Sequence, residues 1–145
     1  MQLSSFTDYT LRVLMHLAVA QGQKLTTRQI TEVHGAKFNH LAKVTQWLVR
    51  EGYVSSTRGR TGGLQLLTDP SMITVGQVVR SLEGQDGIVE CMRRDGGTCV
   101  LAPVCELKAS LYDAQEAFFA ALDKKTLAAL TRNKMSPLLA QLNRA

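Results

Sequence analysis

The sequence has no uninterrupted apolar run of about 18 residues, the length a helix needs to cross a bilayer, so no membrane-spanning segment is expected. No cationic start precedes its first apolar segment, and that segment carries Asp8, Arg12 and His16, so no export signal is read and the chain is expected in the cytoplasm. There are only three cysteines, and no two of them form a Cys-x-x-Cys pair. An odd number of thiols in a reducing compartment argues against a disulfide framework. The missing short pair argues against a structural zinc site. No P-loop, dinucleotide fingerprint or Ser-His-Asp arrangement is visible, so an enzyme is not expected. Internal repeats and low-complexity stretches are also absent, and 45% hydrophobic residues suffice to bury a core.

What is present is an uneven charge. Residues 1–68 hold eight Lys/Arg against three acids, whereas residues 69–145 hold nine of each, so the whole net charge of +5 belongs to the N-terminal half. Such asymmetry points to a nucleic-acid or anionic-membrane surface there.

Hydrophobic periodicity sets out the elements. Leu11, Leu14, Met15 and Ala18 predict a first helix over 8–21, with Thr7 as N-cap. A short helix over 27–34 follows Thr26 and closes at His34-Gly35. A third over 38–51 turns Leu41, Val44, Leu48 and Trp47 inward, with Asn39 at its cap or first turn. Two short helices joined by a tight Gly-containing turn describe a helix-turn-helix. Residues 53–57 and 64–68 read as strands around the turn Arg58-Gly59-Arg60-Thr61-Gly62-Gly63, which makes a two-stranded wing. A fourth helix is expected over 75–84 with Thr74 as its cap, then a Gly-rich loop over 84–104, a long helix from Cys105 to about residue 122, a short helix near 124–132 and a tail. The expected class is mainly α: a winged helix-turn-helix with a two-stranded wing and a long C-terminal dimerisation helix. The division is 1–83 for the DNA-binding head, 84–105 for the cysteine loop and 106–145 for the dimerisation helix and tail.

A recognition helix needs polar side chains that reach base edges in the major groove of double-stranded DNA. Asn39, Lys43 and Gln46 follow one another by four and three residues, so they share a helix face, with His40 beside them. Arg28, on the preceding helix, is a candidate phosphate contact. Arg58 and Arg60 on the wing turn suit a narrow minor groove, where negative potential is strongest. One winged helix covers few base pairs, so a homodimer on paired half-sites is expected. The stripe Leu107, Leu111, Ala114, Phe118 and Leu122 is its candidate seam.

Cys91, Cys99 and Cys105 are separated by seven and five residues in a loop that also holds Gly96 and Gly97. Three thiolates on a bending loop suit a larger inorganic core, and iron–sulfur clusters accept varied spacing. Arg93 and Arg94 beside Cys91 favour the thiolate. Three cysteines leave one iron to an oxygen or nitrogen donor or open to a small ligand such as nitric oxide. A zinc- or thiol-based redox-responsive DNA-binding regulator is the alternative reading of the same loop.

Phe6-Thr7-Asp8-Tyr9, the wing sequence through Leu64, Glu83-Gly84, the cysteine triplet and Asp113-Ala114-Gln115-Glu116-Ala117-Phe118 together resemble the NsrR/IscR family of iron–sulfur winged-helix repressors across nearly the whole chain. Lys108 stands where the iron–sulfur assembly regulators carry a histidine, so the likeness is to the nitric-oxide-sensing, NsrR-like branch. The resemblance implies a homodimer with one cluster per subunit on Cys91, Cys99 and Cys105, and Asp8 from the other subunit as fourth ligand. His16, His34 and His40 are alternative donors. A 4Fe-4S cluster is expected ahead of 2Fe-2S. The resemblance further implies that nitrosylation of the cluster releases the operator and derepresses nitric-oxide detoxification genes.

Overall fold

The computed structural model describes residues 2–84, 87–132 and 137–139. Its first helix, α1 (Ser5–Val19), starts three residues earlier than the apolar pattern predicts. Ser4, not Thr7, is the N-cap: its hydroxyl accepts the Thr7 N–H at 3.1 Å. Thr7 is buried and donates its own hydroxyl to the Glu83 carboxylate, which also accepts the Ser4 N–H at 2.9 Å. Burial opposes ionisation of Glu83, but the bonds from Thr7 and Ser4 outweigh it and hold its pKa below the ordinary carboxylate value.

Helices α2 (Thr27–His34) and α3 (Phe38–Arg50) lie where periodicity predicts. Thr26 and Gln29 exchange hydrogen bonds as a capping box at the start of α2, and Gly35 ends it in the left-handed region, φ +59°. Strands β1 (Val54–Thr57) and β2 (Gly63–Leu66) pair antiparallel, Val54 opposite Leu66 and Thr57 opposite Gly63. Leu25 extends this ribbon by exchanging backbone bonds with Leu64 at 2.8 and 3.0 Å, which ties the wing to the segment before α2.

After a 3-10 turn at Pro70–Met72 comes α4 (Val75–Glu83), opened by a second capping box, Thr74 with Gln77. Helix α5 (Glu106–Asp123) runs against α4. Arg80 joins them: its guanidinium bonds both oxygens of Glu116 at 2.8–2.9 Å and lies 4.5 Å from the Phe119 ring centre. A side chain at Gly76 would stand 2.6 Å from the Asp123 backbone nitrogen, so glycine permits this close approach. Helix α6 (Leu127–Thr131) returns to the head, where Leu127 is fully buried and its N–H donates to the Ile73 carbonyl at 2.9 Å. The head expected at 1–83 thus shares its core with a residue beyond the cysteine loop. The expected tail lies outside the described residues except for 137–139.

One core gathers Val13, Leu14 and Leu17 of α1 with Ile30, Leu41, Val44, Leu48, Val54, Leu64, Ile73, Val78 and Leu127. A second joins Val75 and Val79 to Phe119, and Leu11 of α1 packs on both. Beside the first core His16 and His34 meet edge to face, ring centres 5.3 Å apart. Burial, then the charges of His16 and Arg12, push the His34 pKa from 6.5 to about 4 against a smaller opposing pull from Asp8. The unfolded chain therefore binds more protons between these values, and stability present above pH 6.5 is lost as the pH falls toward 4. Urea denaturation should show a loss of about 1–2 kcal/mol between pH 7 and 5. His34→Leu should remove that slope, and an unchanged slope in the variant would count against it.

Candidate nucleic-acid interface and cysteine loop

The turn between α2 and α3 is held by the Ala36 N–H, which donates to the Thr31 carbonyl at 3.3 Å. Helix α3 then buries Leu41, Val44, Thr45 and Leu48, which leaves Asn39, Lys43 and Gln46 together on its exposed side. Lys37 stands at the N-cap without a side-chain hydrogen bond, and Asn39 sits in the first turn. Arg28 is exposed on α2. His40 differs from the predicted contacts on α3. It is half-buried, with its ring 5.1 Å from Tyr9 and 6.3 Å from Phe6, both on α1.

The wing turn exposes both Arg58 and Arg60 to solvent. Its tightness rests on glycine: at Gly62 a side-chain carbon would lie 2.3 Å from the Thr57 carbonyl oxygen, and Gly59 has φ +103°. At the base of the wing Tyr53 stacks on Trp47 of α3, ring centres 6.0 Å apart, so strand and recognition helix are packed as one unit.

The cysteine loop is closed by a side chain that the sequence pattern did not single out. Glu90 accepts the Thr98 N–H at 3.0 Å and the Thr98 hydroxyl at 2.9 Å, which brings the neighbours of Cys91 and Cys99 together. Those two bonds hold the Glu90 pKa below the ordinary value. Gly97 lies in the left-handed region at φ +59°, and a side chain there would meet the Glu90 carbonyl oxygen at 2.7 Å. Cys91 lies in a 3-10 turn (Glu90–Met92), Cys99 is exposed, and Cys105 occupies the N-cap of α5. All three thiols are free. Arg93, expected to favour the thiolate, pairs with Asp95 at 3.6 Å. Among the described residues no three His, Cys, Asp or Glu side chains come close enough to hold a metal ion.

Asp8, in the first turn of α1, pairs within its own helix with Arg12, Oδ2 to Nη2 at 2.9 Å and Oδ1 to Nε at 3.0 Å, and both side chains remain nearly half exposed. His16 is fully buried. Of the predicted seam, Leu107 and Ala114 are exposed and Leu111 half-buried, while Phe118 and Leu122 pack on the Val75–Val79–Phe119 cluster of their own chain. Val100, Leu101 and Val104 beside Leu107 are also largely exposed. Among the described residues no helix is long and apolar enough to cross a membrane.

A helix-turn-helix whose second helix presents polar side chains, followed by a two-stranded basic wing, defines a winged-helix regulator of transcription. A family model described as an iron-dependent transcriptional regulator, Rrf2, matches residues 3–133. The chain belongs to the Rrf2 family. It is 45% identical over 135 residues to the transcriptional regulator NsrR of Bacillus subtilis (strain 168), a match that covers 92% of both chains. It is 42% identical over 141 residues to the transcriptional repressor NsrR of Streptomyces coelicolor, covering 96% of this chain and 94% of that one. Among solved structures it resembles CymR (YrzC), the global cysteine regulator of B. subtilis, with TM-score 0.73 and 27% identity over 92% of this chain and 98% of that one. T. potens IscR shares the fold at TM-score 0.71 and 24% identity, covering 92% and 88%. These relatives and fold neighbours are regulators, not enzymes.

The exposed wing generates a direct expectation. Arg58→Ala with Arg60→Ala should weaken DNA binding and flatten its log–log salt dependence by about 0.9 for each phosphate no longer neutralised. Titrations at several salt concentrations would show it, and an unaltered affinity and slope would mean that the wing does not touch DNA.

Proposed function

We propose that this chain is a homodimeric transcriptional repressor whose DNA affinity is set by an iron–sulfur cluster on Cys91, Cys99 and Cys105, with Asp8 of the partner subunit as fourth ligand and nitric oxide as the signal. The observation that carries the reading is the loop: three free thiols on one segment, clasped by Glu90 and Thr98, in a chain whose relatives at 38–45% identity are named NsrR. The family description, an iron-dependent regulator, points the same way.

The residues present suit such a group. Thiolates are the usual protein ligands of iron–sulfur clusters. Structural zinc sites usually use short Cys-x-x-Cys pairs, and the spacing of Cys91, Cys99 and Cys105 contains none. A bound cluster, held by Cys91, Cys99 and Cys105, would supply iron able to react with nitric oxide. The protein's own groups do the rest. Glu90 and Thr98 hold the two arms of the loop, and Cys105 ties the third thiol to the start of α5. Asp8 must share its carboxylate with Arg12 or leave it, so ligation and the Asp8–Arg12 pair are linked. The exposed Leu107, Val100, Leu101 and Val104 supply the apolar surface a second copy would cover. Stabilisation of one dimer arrangement then selects the separation of the two reading helices that an operator requires.

Protein purified without oxygen should be brown and contain iron and acid-labile sulfide. Asp8→Ala should retain the cluster on three thiols with a shorter lifetime, whereas Cys→Ala at any of the three should lose it. Nitric oxide should abolish the operator gel shift of the loaded protein. A colourless protein with bound zinc would replace this reading with a zinc switch, and a gel shift that survives full nitrosylation would end the nitric-oxide reading.

A further inference from the structure

On a winged helix, the polar side chains that open the recognition helix are read first as base contacts. The geometry points to a different task for one of them. We propose that His40 is a positioning residue: its ring, set against Phe6 and Tyr9, fixes the N-terminal end of α3 to the first turns of α1, and Asn39 and Lys43 read the bases from that fixed end. The inference rests on the DNA-binding reading of α3 and deepens it.

Four observations carry it. First, the His40 ring meets two rings of its own chain, 5.1 Å from Tyr9 at an interplanar angle of 69° and 6.3 Å from Phe6 at 26°. Both lie in the range in which ring pairs attract. Second, its exposed neighbours Asn39 and Lys43 line one surface depression with Phe6, Lys37 and His40. The ring contact and the candidate reading residues therefore occupy one edge of the molecule. Third, this end of α3 has no side-chain cap, since Lys37 makes no capping hydrogen bond. A helix end without a cap is oriented by what packs beside it. Fourth, Phe6 also meets Trp47 edge-on at 6.3 Å, and Trp47 stacks on Tyr53 before β1. The rings form one continuous row, Tyr9–His40–Phe6–Trp47–Tyr53, from α1 across the recognition helix to the wing. Hydrogen-bonded base contacts tolerate little displacement of the side chain that makes them, so a displaced end of α3 would weaken recognition.

Phe6 and Tyr9 also flank Asp8 in sequence, so the same turn that carries the proposed fourth ligand holds the recognition helix.

The test separates a ring that packs from an imidazole that hydrogen-bonds a base. The probe is a duplex selected from a random-sequence pool by the full-length wild-type protein purified without oxygen. His40→Phe keeps a ring and loses the hydrogen-bonding nitrogens; His40→Gln keeps polar atoms and loses the ring. His40→Phe should bind the selected duplex within about threefold of wild type and should select the same sequence from the pool. His40→Gln should weaken binding about tenfold or more, on the order of 1.4 kcal/mol. Tyr9→Leu, which changes no residue of α3, should weaken it by a similar factor, and its combination with His40→Gln should weaken it little more. Circular dichroism of each variant distinguishes a displaced helix end from an unfolded chain, and the Tyr9→Leu result stands even if His40→Gln does not fold. The reverse pattern overturns the inference: Phe weak or altered in sequence preference, Gln near wild type, and Tyr9→Leu without effect. A wild-type protein that selects no duplex overturns the DNA-binding reading itself.

Discussion

Helix α1 must bury opposite sides at once, and the rest of the molecule is arranged around that requirement. Val13, Leu14 and Leu17 are almost entirely removed from solvent within the core shared with α2, α3, the wing and α6. Leu11 packs on that core and also on the Val75–Val79–Phe119 cluster between α4 and α5. Among the described residues α1 packs against α3, α4, α6 and β2 together. Burying a residue of this size contributes about 1.5–3 kcal/mol. Domains are stable by only about 5–15 kcal/mol, so no side of α1 can be released without threatening the whole fold.

A rigid central helix has a consequence for signalling. The first turns of α1 are fastened three ways: by Glu83 through Ser4 and Thr7, by the ring contacts of Phe6 and Tyr9 with His40, and by the Asp8–Arg12 pair. Glu83 ends α4 shortly before the cysteine loop, while His40 opens the recognition helix. The end of α4 and the first turns of α1, joined by the Glu83 bonds, thus lie between the loop and the reading helix. Under the proposed function a cluster need exert only a local demand on Asp8 and on the loop. Packed cores respond to such demands by discrete shifts rather than by smooth deformation.

Much of the fold was legible because its signals are local. The 3.6-residue apolar period located α1 to α6, Thr26 and Thr74 announced two helix starts, and the run from Arg58 to Gly63 announced the wing turn. The exposed set Asn39, Lys43 and Gln46 followed from spacing alone, as did Arg58 and Arg60. What escaped was set by tertiary contact. Thr7 resembles a cap in sequence, but Glu83, distant in the chain, claims its hydroxyl and Ser4 takes the cap. The Glu90–Thr98 clasp joins residues eight apart with no regular period between them. Phe118 and Leu122 read as a seam for a second copy, yet α4 covers part of both, because Arg80 and the small Gly76 bring α5 close. The ring contacts of His40 with Phe6 and Tyr9 could not be read from its place beside Asn39, because only the fold sets those residues of α1 against it.

Under the proposed function α1 transmits the state of the cysteine loop to the recognition helix. Hydrogen–deuterium exchange, comparing protein loaded without oxygen with the same protein stripped of its cluster, tests this most directly and requires no DNA. Cluster loss should raise exchange in three places: the loop at 87–105, the first turns of α1, and the N-terminal end of α3 around His40. A change confined to the loop, with α1 and α3 unaltered, would contradict it.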